Sequence, residues 1–415
     1  MKDNWITKDN IIRKGSAEMI IHSRRVYTSE GEKDVFLRIE GRKIVEIMNE
    51  YDGDDVIDYS DHRIIPGIFD THNHGTMGYG FMGVEKEKFA ENLKGYLKGL
   101  AAQGVTSIFP TVPVEAIKTV ADGMKEEQDG ATIVGIHSEG PWLNRVGEKG
   151  VKTGWPEVSL ETAKRMVEDG QGHLRLVAIA PEIPGIDPII DYFLSQGITI
   201  AFAHSDDTYE EARKHLEGRF TVATHLGNVM SGLHHRDIGG LGACLQNENM
   251  TYEIICDGMH ISNPMLKLYF MIHDYHRFMM ISDCSQMAGA PVGRYKSMMV
   301  GAVMNVTEQG FVLTDTGRLM GSSKPVLYGI GNLVENLHIP LETVIRMSSL
   351  NPCIKYGLAD HKGSIAVYKD ADLAVISDDY QAIATYAEGR KVYDRETEGD
   401  VFNKEFVKAY KLDQC

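Results

Sequence analysis

Short apolar runs alternate with polar positions over residues 18–66. Residues 19–21, 35–39 and 43–47 form such runs, and turn segments such as 40–42 (Glu-Gly-Arg) separate them. Alternation with a period of two is typical of half-buried β-strands. The pattern therefore predicts a small antiparallel β module before residue 66.

From Pro66 onward the pattern changes to apolar runs followed by amphipathic stretches. Phe89, Leu93, Leu97 and Leu100 recur at helical spacing ahead of the apolar run 105–109. Most of the apolar runs are followed by such a helix-like segment. Eight βα units predict an α/β fold, the (β/α)8 TIM barrel. The eight strand candidates lie at about 66–72, 105–110, 132–138, 175–181, 198–204, 220–225, 251–256 and 278–283.

Short alternating strands return after the predicted barrel, within residues 363–376, 382–386 and 391–393. Because this pattern matches that of the first 66 residues, we expect the two chain ends to meet in one small β-sandwich domain. The predicted organisation is then a first sandwich part, the barrel and a second sandwich part, over residues 1–65, 66–360 and 361–415.

Composition narrows the class of protein. Of 415 residues, 43% are apolar and 25% charged, as in globular proteins, and 43 Lys and Arg against 59 Asp and Glu give a net charge of −16. Such an acidic chain is a poor partner for nucleic acid or an anionic membrane surface. Five scattered cysteines without CxxC spacing indicate reduced thiols, and no apolar run approaches the roughly 18 residues of a membrane span. We expect a cytoplasmic protein without nucleic-acid or membrane partners.

Histidines and carboxylates fall at the ends of the predicted barrel strands. His72 and His74 are two residues apart, so both can face the barrel axis. Functional residues of TIM barrels come from the C-terminal ends of several strands. If these polar groups were instead buried in an apolar core, their loss of hydration would cost free energy. The other groups at these ends are Glu139, His204, His225 and Asp283.

This combination of imidazoles and carboxylates suits a divalent metal site. Zinc, iron and manganese all accept such ligands, and a site that keeps one position open for water is typical of hydrolysis. One or two ions fit the number of ligands. Glu139, between two histidine pairs, is the natural bridge between two ions.

Several segments together resemble the amidohydrolase superfamily and, within it, the N-acetylglucosamine-6-phosphate deacetylase family. The HxH motif indicates only the superfamily, whereas HSEGPWLN (137–144), THLGNVM (224–230) and DGMH (257–260) are specific to the deacetylases. The resemblance covers almost the whole chain. Its further segments are PGIFD (66–70), AHS (203–205), SD (282–283), GRLMGS (317–322), SLNP (349–352) and KDADL (369–373).

The resemblance implies a role for each metal ligand. Glu139, His204 and His225 match the ligands of the metal that is common to the family. His72 and His74 look like the additional pair of two-metal members, with Asp283 beside them. Asp283 is implied as the general base that takes a proton from the attacking water and returns it to the leaving amine.

The resemblance also implies substrate contacts and an assembly. His260 would contact the acetamide carbonyl and stabilise the oxyanion. Arg236 would bind the phosphate by forked hydrogen bonds, with Asn228 and the Val229 amide next to it. Met320 is implied as a further substrate contact. The family is typically a homodimer, so a homodimer acting on a small sugar phosphate is expected.

Three departures from the family pattern leave the substrate open. The family commonly has a bulky residue at Gly227, a histidine where Val151 and Lys152 stand, and Ala-Met in place of Cys284 and Ser285. The resemblance implies that these positions lie near the sugar. Another amino sugar, such as N-acetylgalactosamine 6-phosphate, is therefore an alternative substrate.

Two other functions are compatible with the predicted fold. Fold and ligands do not fix the substrate, so an aminoacylase or a purine deaminase is an alternative. The third hypothesis is a non-catalytic barrel that serves as a binding or scaffold protein. The presence of all six ligands argues against it, because degenerate barrels are expected to lose ligands or the base.

Overall fold

The computed structural model describes residues 18–146, 151–152, 156–296, 303–319 and 321–412. Its centre is a ring of parallel strands. Each predicted barrel strand is present, and the third is interrupted after Ile133. The strands are Ile68–Asn73, Val105–Pro110, Thr132–Ile133 with Ile136–Glu139, Leu174–Ile179, Thr199–Phe202, Val222–Ala223, Thr251–Ile255 and Phe278–Ile281.

Neighbouring barrel strands pair in parallel and in chain order. The first and eighth strands meet where the Asp283 amide donates to the His72 carbonyl at 2.8 Å and the His74 amide donates to the Cys284 carbonyl at 2.8 Å. The predicted TIM barrel is thus confirmed. We number the barrel strands 1 to 8 in chain order.

A helix follows each barrel strand, as the amphipathic stretches predict. In α1, Phe89, Leu93, Leu97 and Leu100 are all buried, so the spacing seen in the sequence is the face that packs on the barrel. The eight helices are α1 (Phe89–Ala101), α2 (Ile117–Gly123), α3 (Leu160–Asp169), α4 (Asp187–Ser195), α5 (Tyr209–Leu216), α6 (Gly239–Gln246), α7 (Asn263–Ile272) and α8 (Val326–Leu337).

A further helical segment covers the N-terminal end of the barrel. It runs through α9 (Leu341–Ile345), one π-helical turn and α10 (Asn351–Lys355). The Asn351 side chain donates to the carbonyls of Tyr275 and Phe278, each at 2.8 Å, next to the start of strand 8. Tyr356 packs its ring 4.7 Å from that of Phe109 inside the barrel. The opposite, C-terminal end is thereby left for function.

The two chain ends meet in one eight-stranded sheet beside the barrel. Arg63–Pro66 pairs antiparallel with Leu373–Ile376, which joins the early and late strands. Apolar side chains from both ends, including Leu37 and Tyr386, share one buried cluster. The remaining strands are Glu18–Thr28, Gly31–Glu40, Lys43–Met48, Val56–Asp58, Ala382–Ala387 and Arg390–Asp394.

The prediction of an antiparallel early module is correct for the first three strands but wrong for the two that follow. Glu18–Thr28 pairs antiparallel with Gly31–Glu40 on one side but parallel with Val56–Asp58 and Arg63–Pro66 on the other. The chain crosses over after Lys43–Met48 and returns along the far edge of the first strand, which forces the parallel direction. The arrangement as a sandwich and the domain boundaries at 65/66 and 360/361 stay predictions.

Several elements lie outside the predicted pattern. A three-stranded antiparallel sheet is inserted between strand 8 and α8 and packs on Phe402 and Phe406. The strands of this inserted sheet are Gly293–Lys296, Val303–Val306 and Val312–Thr314. Two further strand pairs are Gly75–Thr76 with Tyr79–Gly80 and Arg145–Val146 with Val151–Lys152. The remaining elements are the 3-10 turns Lys86–Lys88, Val114–Ala116 and Tyr275–Arg277 and the helices α11 (Arg395–Glu398) and α12 (Lys404–Tyr410).

The described residues carry two further properties. No helix among them is long and apolar enough to cross a membrane. The cysteines in these ranges are free and buried; they are Cys244, Cys256, Cys284 and Cys353.

Candidate active site

Six side chains predicted as metal ligands lie together at the C-terminal mouth of the barrel, in two groups. We call His72, His74 and Asp283 the first ligand group. The second ligand group is Glu139, His204 and His225. Within each group, the ligand atoms all lie within 4.8 Å of one another. The first group comes from strands 1 and 8, and the second from strands 3, 5 and 6.

Glu139 connects the two groups. Its Oε1 lies 2.8 Å from His204 Nε2 and 2.9 Å from His225 Nε2. Its Oε2 lies 3.2 Å from His74 Nε2. The carboxylate therefore stands between the two histidine pairs, in the position predicted for a bridge.

The spacing of the ligand atoms fits a divalent ion in each group. In the first group, His72 Nε2 is 3.2 Å from His74 Nε2, and Asp283 Oδ1 is 3.3 Å from His74 Nε2. In the second, the Nε2 atoms of His204 and His225 are 3.1 Å apart. Two ligands that each lie about 2.0–2.1 Å from one tetrahedral ion are roughly 3.3 Å apart. Nitrogen and carboxylate oxygen are also the donor types that zinc, iron and manganese accept.

The electrostatics of the mouth favour a cation. Burial alone would raise the pKa of Asp283, but the neighbouring imidazoles lower it to about 2. Glu139 is likewise held well below its ordinary pKa by His204 and His72, against the effect of burial. Burial would lower the pKa of His74, yet the Asp283 and Glu139 carboxylates raise it to about 10. Both carboxylates are thus held ionised, and the raised pKa of His74 indicates that they stabilise positive charge at this place in the mouth.

The backbone turns sharply at three of the ligands. His204, His225 and Asp283 have φ angles of +52°, +31° and +49°. Residues other than glycine rarely adopt positive φ angles, and residues with such strained backbones cluster at functional sites. Each of the three residues lies two positions after the last residue of its barrel strand, so the turn directs its side chain over the mouth.

Asp70 joins the two strands that carry the first ligand group. Its buried carboxylate accepts hydrogen bonds from the amides of His72 and Ser282, both at 3.2 Å, and from the Ser282 hydroxyl. Burial raises the pKa of Asp70 to about 6, although these hydrogen bonds oppose the rise. The hydrogen bonds of Asp70 fix the register of strand 1 against strand 8 and so bring His72 next to Asp283.

Two buried residues next to His72 lie outside the set of site residues predicted from the sequence. Glu253, on strand 7, accepts a hydrogen bond from the Thr71 hydroxyl at 2.6 Å, and its other oxygen lies 3.4 Å from His72 Nδ1. The ring of His137 lies 4.5 Å from that of His72, and its Nε2 has no hydrogen-bond partner among the described residues. A lone carboxylate within the apolar run 252–256 is the signal that could have found Glu253.

The predicted substrate contacts lie on loops after strands 6 and 7. The Asn228 side chain donates to the His225 carbonyl at 3.1 Å, and Val229 follows it with a φ of +49°. His260 Nδ1 lies 2.7 Å from Asp257 Oδ2.

Arg236 is exposed beside a groove at the start of α5, lined also by Tyr209, His235 and Asp237. Met320 and the side chains of Val151 and Lys152 lie outside the described residues.

Gly227 lies directly against a tyrosine side chain of α7. Its φ is +88°, and a Cβ at this position would lie 2.4 Å from the hydroxyl oxygen of Tyr269. Tyr269 is a buried residue of α7. Its hydroxyl therefore fills the space into which a side chain at position 227 would project.

These strands and ligand groups define a barrel of the amidohydrolase type. The model of the amidohydrolase family matches residues 63–394, and the chain belongs to this family. The family is generally metal-dependent, in agreement with the two ligand groups.

The curated relatives are more specific. The chain is 28% identical over 392 residues to the N-acetylglucosamine-6-phosphate deacetylase of Vibrio furnissii, covering 92% of this chain and 97% of the relative. It is 30% identical to the N-acetylgalactosamine-6-phosphate deacetylase of Escherichia coli O157:H7, covering 86% and 94%. The solved N-acetylglucosamine-6-phosphate deacetylase of Pasteurella multocida superposes with a TM-score of 0.79 at 25% identity, covering 90% and 99%. The resemblance predicted from the sequence motifs is confirmed.

Proposed function

We propose that this protein is a metal-dependent deacetylase that hydrolyses the acetamide of N-acetylglucosamine 6-phosphate to glucosamine 6-phosphate and acetate, in amino-sugar catabolism. The observation that carries the proposal is the pair of ligand groups meeting at Glu139. Relatives named as deacetylases of this substrate align over nearly their whole length, which supports the same chemistry here.

Asp283 is the residue that moves protons in this proposal. A bound divalent ion supplies Lewis acidity for the carbonyl and lowers the pKa of water to about 7. Asp283 retains 21% exposure at the mouth, so its carboxylate can reach both an incoming water and the scissile bond. It accepts a proton from the attacking water and then donates it to the amine as the C–N bond breaks.

His260 orients and stabilises the acetamide carbonyl. The Asp257 carboxylate is hydrogen-bonded to Nδ1 of His260 and also accepts hydrogen bonds from the backbone amides of Met259 and His260. These bonds fix the loop that carries His260. The imidazole is 13% exposed, and in this proposal it donates a hydrogen bond to the developing oxyanion. A donor of this kind is worth about 3 kcal/mol in the transition state.

Arg236 binds the phosphate, with Asn228 and the Val229 amide beside it. An arginine offers forked hydrogen bonds to phosphate oxygens and supplies local positive charge in a chain whose net charge is −16. Arg236 is exposed and lines a groove beside the start of α5, where its guanidinium can meet a phosphate. Met320 completes the set of proposed substrate contacts.

The site holds up to two ions, with zinc as the first expectation and iron or manganese as alternatives. The enzyme works as a homodimer in the cytoplasm. Buried free cysteines support a reducing compartment.

N-acetylgalactosamine 6-phosphate is a second candidate substrate. The Tyr269 hydroxyl takes the space next to Gly227 where the family commonly carries a bulky side chain. The Escherichia coli relative named for this sugar is 30% identical to the chain. A changed pocket wall can change which epimer is accepted while leaving the metal ligands as they are.

Acetate release by the purified protein tests the proposal. We expect kcat/KM above about 10⁴ M⁻¹s⁻¹ with N-acetylglucosamine 6-phosphate and much less with unphosphorylated N-acetylglucosamine. A higher kcat/KM with N-acetylgalactosamine 6-phosphate would replace the first substrate by the second. No acetate from any of the three, with metal-loaded protein, would refute the deacetylase assignment.

A further inference from the structure

Glu253 is a fully buried carboxylate beneath the mouth of the barrel. It lies on strand 7 with none of its side chain exposed. Burial of an ionised carboxylate is costly unless hydrogen-bond donors compensate it. Within the described ranges, its side chain is hydrogen-bonded to the Thr71 hydroxyl and to the imidazole of His72.

The direction of the contact with His72 follows from the chemistry of the two groups. Thr71 donates to one oxygen of Glu253, and a carboxylate can accept at both oxygens, so we assign Nδ1 of His72 as the donor to the other oxygen, 3.4 Å away. The opposite nitrogen, Nε2, faces His74 Nε2 at 3.2 Å and Asp283 Oδ1 at 3.5 Å. With its proton on Nδ1, a neutral imidazole presents a lone pair at Nε2, which is the form that binds a metal ion.

We infer that Glu253 is a positioning residue that holds His72 as the Nδ1-protonated tautomer and thereby prepares the first ligand group for its ion. The inference rests on the proposed metal-dependent function. Carboxylates that bond the far nitrogen of a ligating histidine commonly contribute 10- to 100-fold in metal affinity. The effect is specific to the first ligand group, because the side-chain hydrogen bonds of Glu253 reach none of Glu139, His204 and His225.

The test must distinguish this positioning role from a purely structural role of Glu253. Lys355 enters from the other end of the barrel, where it donates to the Thr221 carbonyl at 3.0 Å, and it is attracted electrostatically by Glu253. If Glu253 served only to balance Lys355, its replacement would change stability without changing ion affinity or the His72 tautomer.

Zinc binding by metal-stripped protein, measured in competition with a chromophoric chelator, provides the first readout. Glu253→Gln keeps the volume and offers only a weaker, neutral acceptor, and Glu253→Leu removes the acceptor. We expect one zinc to bind about 10-fold more weakly in the first variant and up to about 100-fold more weakly in the second, with the other zinc unchanged. Thr71→Val is the matched control, because it removes the second hydrogen bond of the same carboxylate but leaves His72 its acceptor. Its zinc affinities should stay within about threefold of wild type.

The tautomer itself provides a second readout that needs neither metal nor activity. Long-range ¹H–¹⁵N correlation spectra of metal-stripped protein, labelled at histidine and assigned with His72→Gln, should show His72 protonated at Nδ1 in the wild type. In Glu253→Gln this preference should be lost or mixed. Because Glu253→Gln is nearly isosteric, its folding can be checked by thermal melting even if Glu253→Leu does not fold.

The outcomes separate the inference from the proposed function. Unchanged zinc affinities and an unchanged His72 tautomer in Glu253→Gln overturn the inference, even if the wild type releases acetate from the sugar phosphate. Uptake of a single zinc that Glu253→Gln does not weaken overturns it as well. Selective loss of one zinc in a protein that releases no acetate supports the inference and refutes the proposed function.

Discussion

Replacement of Asp370 by asparagine should destabilise the junction between the two chain ends. The Asp370 side chain is completely buried and accepts hydrogen bonds from Arg42 Nε at 3.0 Å and Nη2 at 3.1 Å. Lys43 Nζ lies 2.8 Å away and Lys362 Nζ 3.3 Å away. Arg42 and Lys43 belong to the early part of the sheet, whereas Lys362 and Asp370 precede its late strands. The carboxylate therefore ties the beginning of the chain to its end.

The magnitude follows from the pKa of Asp370. Burial would raise it, but the three cations lower it to about 2 from 3.8. At 1.36 kcal/mol per pKa unit, this difference corresponds to about 2 kcal/mol at neutral pH. Breaking a fully buried ion pair would cost more, about 3–5 kcal/mol. We expect the lower figure because Arg42 is half-exposed and regains water when the charge is removed.

Urea unfolding of wild type and Asp370→Asn, followed by tryptophan fluorescence at several pH values, tests this reasoning. Because the folded pKa lies below the unfolded one, the carboxylate stabilises the fold above pH 4 and loses its contribution as the pH falls toward 2. The difference in unfolding free energy should be about 2 kcal/mol at pH 7 and about half of that at pH 3.

Asp122→Asn is the control for the charge change, since Asp122 also contacts two lysines but is 45% exposed, and it should lose much less stability. Equal stability of Asp370→Asn and wild type at pH 7, or a difference that grows on acidification, would refute the reasoning.

Three further predictions concern the proposed active site. Asp283→Asn should lower kcat by about 10²- to 10⁴-fold, measured as acetate release, because the amide cannot accept the proton; an unaffected kcat would remove Asp283 as the base. Arg236→Ala should raise KM for the sugar phosphate about 10- to 100-fold and leave that for the unphosphorylated sugar unchanged, whereas an unaltered KM would contradict the phosphate assignment. Gly227→Ala should destabilise the fold by about 1–3 kcal/mol, because φ at this position is +88° and the added Cβ would lie 2.4 Å from the Tyr269 hydroxyl oxygen. Adding Tyr269→Phe to this variant should restore part of the lost melting temperature. No recovery would show that the hydroxyl is not the obstacle.

The barrel and the ligands could be predicted because both depend on local pattern. The apolar runs and the helical spacing after them are visible within single windows of sequence, and His72 and His74 are brought together by strand geometry alone. Once eight strands close a ring, the residues at their ends must converge, so Glu139 and Asp283 needed no further information.

The features that were missed depend on contacts between distant parts of the chain. The positive φ angles at His204 and His225 are set by how each strand end packs at the mouth, which no local pattern encodes. The contact between Glu253 and His72 joins residues 181 positions apart. The parallel pairing of Val56–Asp58 with Glu18–Thr28 depends on where the crossover places the chain. Pairing direction and register are decided by the assembled sheet, and strand propensity does not determine them.

The deacetylase assignment is tested most directly by one reaction followed by ¹H NMR. Purified, zinc-loaded protein is mixed with N-acetylglucosamine 6-phosphate, and the acetamide methyl signal, free acetate and glucosamine 6-phosphate are integrated over time. We predict loss of the acetamide signal with equimolar appearance of acetate and the amino sugar phosphate. A substrate signal that stays unchanged in the presence of metal-loaded protein would contradict the account.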